Sequence, residues 1–111
     1  MDIIFSKDKL RKEFNTEKLL VKRHGKVRAK IIDRRISQLR AAAVLDDLRN
    51  LPGRCHELRG DRAGQLSMDL DHPYRLIFKP TDNPPPIRRD GGIDWTKVST
   101  ITILGVEDTH G

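Results

Sequence analysis

Two histidines and an arginine stand in extended segments of this chain where they could share proton-transfer and phosphate chemistry. They are His56 in Cys55-His56-Glu57-Leu58-Arg59-Gly60, Arg75 in Pro73-Tyr74-Arg75-Leu76-Ile77-Phe78, and His110 in Asp108-Thr109-His110. Histidine suits the gain and loss of protons because its unperturbed pKa is near neutrality. Arginine suits a phosphodiester because its planar fork donates to two oxygens at once. Cleaving RNA without a metal requires a base for the ribose 2′-OH, a cation for charge on the scissile phosphate, and an acid for the leaving 5′-oxygen. His56 starts one strand-like segment and His110 lies just beyond another, and segments distant in the chain share a face when they join one sheet. The plainer meanings stay open: a lone histidine is commonly a surface or packing residue, and Arg75 also fits a cross-strand salt bridge with Asp69 or Asp71. His72, before a proline, reads as structural, and His24, in a basic junction, as exposed and incidental.

At 111 residues the chain is expected to form a single domain over 1–111 with one modest core, and 36% hydrophobic with 34% charged residues fits a soluble globular protein. No apolar run approaches the roughly 20 residues that cross a bilayer. Met1–Phe5 leads directly into charged sequence, so neither a signal nor a transit peptide is expected. The single cysteine fits a reducing cytoplasm, and one cysteine with four histidines shows no paired zinc spacing, so no metal or cofactor is expected. The net charge is +6 with a pI near 9.8. Between Lys18 and Arg40 the acid Asp33 faces a run of cations that includes Lys22, Arg23, Lys26, Lys30 and Arg34. Such a surface attracts polyphosphate by counterion release. A solvated helix face is the commoner meaning of a charge run, and an acidic partner fits as well as RNA.

The elements that must position these residues change period at mid-chain. Asp2–Phe5 reads as a strand, and Ser6 as the N-cap of a helix bearing Leu10 and Phe14. The pattern resumes with Leu19 and Leu20, His24-Gly25 interrupts it, and a long helix follows from Lys26 with Ile32, Ile36, Leu39 and Ala43 on one face. Val44–Leu51 continues or restarts that helix until Pro52-Gly53. Strands are then expected over Arg54–Arg59, Gln65–Leu70, Tyr74–Lys79 and Val98–Val106. Ser67 and Asp69 fall opposite Leu66, Met68 and Leu70, and 80–94 is a long, polar, mobile excursion. The order implies an α+β domain: an N-terminal strand, two to three helices, then a mainly antiparallel four-stranded meander with the helices on one face.

The Gly60-Asp61-Arg62-Ala63-Gly64-Gln65 turn followed by Tyr74-Arg75-Leu76-Ile77-Phe78 resembles the RelE/ParE superfamily of bacterial toxins, most closely its HigB-like branch. The layout matches over nearly the whole chain; the specific motifs lie in roughly 52–79 and 104–110. The resemblance implies a RelE-like fold and the toxin of a type II toxin–antitoxin system. Such a toxin is a cytoplasmic, metal-independent endoribonuclease that cuts mRNA on the ribosome by attack of the ribose 2′-OH. It implies as partners a HigA-like helix-turn-helix antitoxin, the ribosome and mRNA, with operator DNA reached only through the antitoxin and no membrane. By position it assigns catalysis to His56, Arg75, Asp108 and His110; Arg59 and Arg62, beside the Gly60 turn, look like backbone-phosphate contacts, and either could instead be a solvated turn residue. The basic helices, with Lys22, Arg23, Lys26, Lys30 and Arg34, would hold ribosomal RNA. The chain departs from the pattern at Thr109, where the family has tyrosine, at Asp69, where it commonly has a cation, and in the length of 80–94. Two alternatives follow: a ParE-type gyrase-inhibiting toxin, or a catalytically weakened member acting mainly in an antitoxin repressor complex.

Overall fold

The structure, a computed structural model, describes residues 1–108. Its centre is the run Leu76-Ile77-Phe78, fully buried and therefore covered on both sheet faces. That run belongs to β4 (Tyr74–Pro80), which lies between β3 (Leu66–Asp69) and β5 (Thr100–Asp108). With β2 (His56–Glu57) beyond β3, these strands form the antiparallel meander, and β1 (Asp2–Phe5) closes the sheet by pairing parallel to β5, giving the order β1-β5-β4-β3-β2. The α+β class and the helix-on-one-face architecture stand as expected.

Helix α1 (Asp8–Phe14) turns Leu10 and Phe14 towards the core, and Phe14 meets Phe5 edge-on at 5.6 Å. Its cap is Lys7, without a side-chain bond, so Ser6 falls one residue short of the expected capping position. Helix α2 (Glu17–Ala41) buries Leu20, Ala29, Ile32 and Leu39 and is broken at Gly25, whose φ of +82° suits a residue without a Cβ. Two of its arginines face inward and stitch it to the sheet. Arg28 donates Nε and Nη2 to Asp71 at 2.9 and 3.1 Å and lies 3.4 Å from the Tyr74 ring centroid, while Arg35 Nε donates to the Asp69 carbonyl at 2.8 Å. The helix expected over Val44–Leu51 is a single 3-10 turn, Leu45–Leu48, held by the Leu45 N–H on the Val98 carbonyl.

β2 is shorter than the expected Arg54–Arg59. Gly53 and Arg54 both take positive φ, and a 3-10 turn at Gly60–Arg62 follows, so extended pairing survives only at His56 and Glu57. Ser67, expected on an exposed face, is fully buried, and its hydroxyl has no hydrogen-bond partner among the described residues. The 80–94 segment, expected as a mobile excursion, makes backbone bonds of its own and docks on the domain. Arg88 N–H bonds to the Gly92 carbonyl, Ile87 bridges Ile93, and Asp94 N–H bonds to the Pro86 carbonyl. Ile93 and Trp95 are buried, and Glu57 accepts the Ile93 N–H at 3.2 Å and the Trp95 indole N–H at 3.0 Å. Leaving two sheltered donors unpaired costs about 2–4 kcal/mol. Glu57→Ala is therefore expected to lower the urea midpoint by that equivalent at unchanged slope; a shift below about 0.5 kcal/mol would mean that the segment docks without it.

Candidate active site

Strand register builds one functional face. Arg75 on β4 lies in register with Asp69 on β3 and Glu107 on β5; two residues along, Ile77 lies between Ser67 and Gly105, and Ser67 faces His56 on β2. Because side chains alternate along a strand, His56, Asp69, Arg75 and Glu107 share the face turned away from the helices, while Leu66, Met68, Leu76 and Phe78 point into the helix-covered core. His56 and Arg75 are thus brought to one face on strands roughly 10 Å apart, with β3 between them.

His56 Nδ1 lies 2.9 Å from the Arg54 carbonyl. A carbonyl only accepts, so Nδ1 carries the proton and Nε2 is the basic nitrogen. Arg75 lies 3.6 Å from Asp69 through Nε and keeps its side chain 29% exposed. The main partner of Asp69 is Arg54, which donates Nε and Nη2 to its two oxygens at 2.9 and 3.2 Å. Partial burial works against the Asp69 charge, but the Arg54 hydrogen bonds and charge, with Arg75 and His56 nearby, hold its carboxyl below the usual range. Arg62 forms a second fork, Nη1 and Nη2 on Glu107 at 2.9 and 2.8 Å, with Nε on Gln65, and the hydrogen bond to Glu107 raises its pKa. This pair reaches from the turn across to β5 on the side where Ser67 and Ile77 are buried outside the main core. Arg59 is exposed. Cys55 is no nucleophile, since burial pushes its thiol up to about 12.

Arg54 and Glu107 escaped the sequence reading. The Leu51-Pro52-Gly53 stop pointed to a turn, but not to the left-handed φ of +48° at Arg54 that aims its side chain at Asp69. At Gly53 a Cβ would meet Arg35 Nε at 2.8 Å, so that turn requires glycine. Glu107 becomes visible only through its register with Arg75.

Other expected site residues fall elsewhere. Asp108 is in register with Tyr74, one step from Glu107, so alternation turns it to the helix side, away from Arg75. Lys22, Arg23, Lys26, Lys30 and Arg34 are exposed on α2, across the sheet from the His56–Arg75 face. His24 is not exposed: its side chain is 10% accessible, bonded to Glu13 at 3.1 Å and edge-on to Phe14. His72 is exposed in the β3–β4 turn. Thr109 and His110 lie outside the described residues.

No family model matches the sequence, and no curated protein matches it. The fold is shared with solved toxin structures. The YoeB dimer from Staphylococcus aureus matches with a TM-score of 0.53 at 16% identity, over 95% of this chain and 92% of that one. A YoeB/ParE toxin from Agrobacterium tumefaciens matches with a TM-score of 0.52 at 11% identity, over 99% and 100%. The chain therefore has the YoeB/ParE toxin fold, which is the fold expected from the RelE/ParE resemblance.

The Asp69 pairings set a pH dependence of stability. A carboxyl held below its unfolded value of about 3.9 stabilises the fold above that pH, and the contribution is lost as pH falls through the lowered folded value. Urea unfolding of wild type and Asp69→Asn should show a constant gap from pH 7 to about pH 5 that closes towards pH 3 and below. A gap unchanged at low pH would assign Asp69 a packing role.

Proposed function

We propose that the chain is the toxin of a type II toxin–antitoxin pair and cuts mRNA on the ribosome. The observation that carries this reading is the placement of His56 and Arg75 on one helix-free sheet face, with His56 presenting Nε2 as a base among several arginines. The YoeB/ParE toxin fold supports it.

In this mechanism His56 Nε2 takes the proton of a ribose 2′-OH, and the 2′-oxygen attacks the adjacent phosphorus. Arg75 steadies the charge that grows on the non-bridging oxygens, with Arg54 and Arg62 available once phosphate displaces their carboxylates, and Arg59 contacts a neighbouring backbone phosphate. The bond to the 5′-oxygen breaks, leaving a 2′,3′-cyclic phosphate, and the leaving oxygen gains a proton from a second acid. The resemblance gives that role to His110. The resemblance likewise gives Asp108 the role of orienting that catalytic group, while Glu107, in register with Arg75, holds Arg62. Lys22, Arg23, Lys26, Lys30 and Arg34 form a separate surface for ribosomal RNA. The proposal extends to a HigB-like affiliation, a cytoplasmic location and a HigA-like helix-turn-helix antitoxin through which operator DNA is reached.

A gyrase-inhibiting toxin of the ParE kind is the second reading. It is favoured by the carboxylates that occupy Arg54, Arg62 and Arg75. Expression without antitoxin separates the two: pulse labelling should show protein synthesis falling before DNA synthesis, and the reverse order would establish the second reading.

Within the nuclease reading, Arg75→Ala should lose about 100-fold or more in cleavage, the scale of one preorganised charge-stabilising group. Arg75→Lys should recover only part, because a point charge does not replace the fork. Retained activity with a lower melting temperature would make Arg75 a structural salt-bridge residue. A transcript with one 2′-deoxy sugar at the cut should resist cleavage there, and products should carry a free 5′-hydroxyl. Finding 5′-phosphate ends would exclude 2′-OH attack.

A further inference from the structure

At the free edge of β2, beside the His56–Arg75 face, lies a cavity of about 440 Å3 that the proposed chemistry touches only through His56. Arg49, Cys55, His56, Glu57, Arg59 and Trp95 line it. Its principal cation is held in place. Arg49 lays its guanidinium over the Trp95 ring, 4.0 Å from the centroid, and its Nε donates to Asp46 at 2.6 Å. Trp95 is only 4% exposed and is fixed through its indole N–H to Glu57. One face of the guanidinium is thus spent on the indole, while the side chain remains 45% exposed and borders the cavity. Arg59 is exposed at the same cavity. Glu57 turns one oxygen to the Ile93 N–H and the other to the indole, so both are engaged away from a ligand, and Arg49 and Arg59 are the cations that the cavity presents.

The geometry points to a nucleotide subsite: an unpaired RNA base stacks on the open face of Arg49, with its phosphate on Arg59. His56 is common to the cavity and to the proposed cleavage site, so a strand passing over His56 enters both. The subsite therefore receives a nucleotide flanking the scissile phosphate. A planar, weakly hydrated guanidinium backed by an indole is a pre-ordered stacking platform, and bases reach such platforms only from single strands. This inference rests on the RNA-cleaving reading and adds a site for recognising the flanking base.

Binding tests it separately from cleavage. A fluorescent single-stranded 2′-O-methyl oligoribonucleotide of mixed sequence cannot be cut by 2′-OH attack. A partner of equal length and charge with abasic positions removes the stacking groups. By anisotropy at low salt, the wild type should bind the base-bearing strand about tenfold more tightly than the abasic one. Arg49→Gln should lose that preference, and Arg49→Lys should lose nearly all of it, because an ammonium keeps the charge but not the plane. Both variants should fold, since the exposed Arg49–Asp46 pair contributes little and the Arg49–Trp95 contact only modestly; urea midpoints close to that of the wild type check this. Variants that still prefer the base-bearing strand, or a wild type that binds both strands equally, would overturn the subsite and leave the nuclease reading intact. A wild type that binds neither strand would likewise overturn the subsite, while the ribosome-dependent nuclease reading is decided by the product-end and pulse-labelling experiments.

Discussion

The register of β4 between β3 and β5 is the constraint on which the rest of the molecule depends. It places Leu76 and Phe78 in the helix-side core and, in alternation, Arg75 between Asp69 and Glu107 on the other face. A slip of one residue would turn the apolar set outward and carry Arg75 into the core, so core packing and candidate chemistry are fixed together. The register shift at Ile77/Phe78, opposite Leu104 and Gly105, separates the length of β5 that pairs with β1 from the length that carries Glu107.

The arginines divide into groups by what the fold gives them to hold. Arg28 and Arg35 are structural: one grips Asp71 and covers Tyr74, the other bonds to the β3 backbone. Arg54, Arg62 and Arg75 are held in position by Asp69 and Glu107, anions that occupy the places where phosphate oxygens would bind. An arginine held this way is already ordered, so an incoming phosphate exchanges for a carboxylate and need not fix a free side chain; the cost is competition from that carboxylate. The exposed cations of α2 lie across the sheet, so the net charge of +6 is not concentrated on a single surface.

Much of this layout was legible in the sequence. The period change at mid-chain, the Gly25 interruption and the apolar run at Leu76-Ile77-Phe78 gave the order of elements, because each is a local signal. Features set by distant partners were not legible. The terminal motif drew attention to Asp108 and gave no sign of Glu107, which alternation within β5 puts on the Arg75 face. His24 read as incidental because its neighbours are basic, and it is packed against Glu13 and Phe14 of α1. The 80–94 segment read as loose from its prolines and glycines, because the Glu57 carboxylate that anchors its return lies more than thirty residues earlier. Arg62 read as a solvated or phosphate-binding turn residue, and its partner Glu107 is equally remote.

The parallel pairing of β1 with β5 has a kinetic consequence. Asp2 is matched to Thr100 and Phe5 to Ile103, so nearly the whole chain must be enclosed before the first strand finds its partner. Closing so large a loop is entropically costly, and chains dominated by such non-local contacts fold slowly. Until β5 docks, β4 has a bare edge, β1 has no neighbour and Arg75 lacks one of its two flanking carboxylates. The helices and the β2–β3–β4 hairpins can form early from local contacts, but the completed face is a late product of folding, assembled only when the latest described strand slots between two earlier ones.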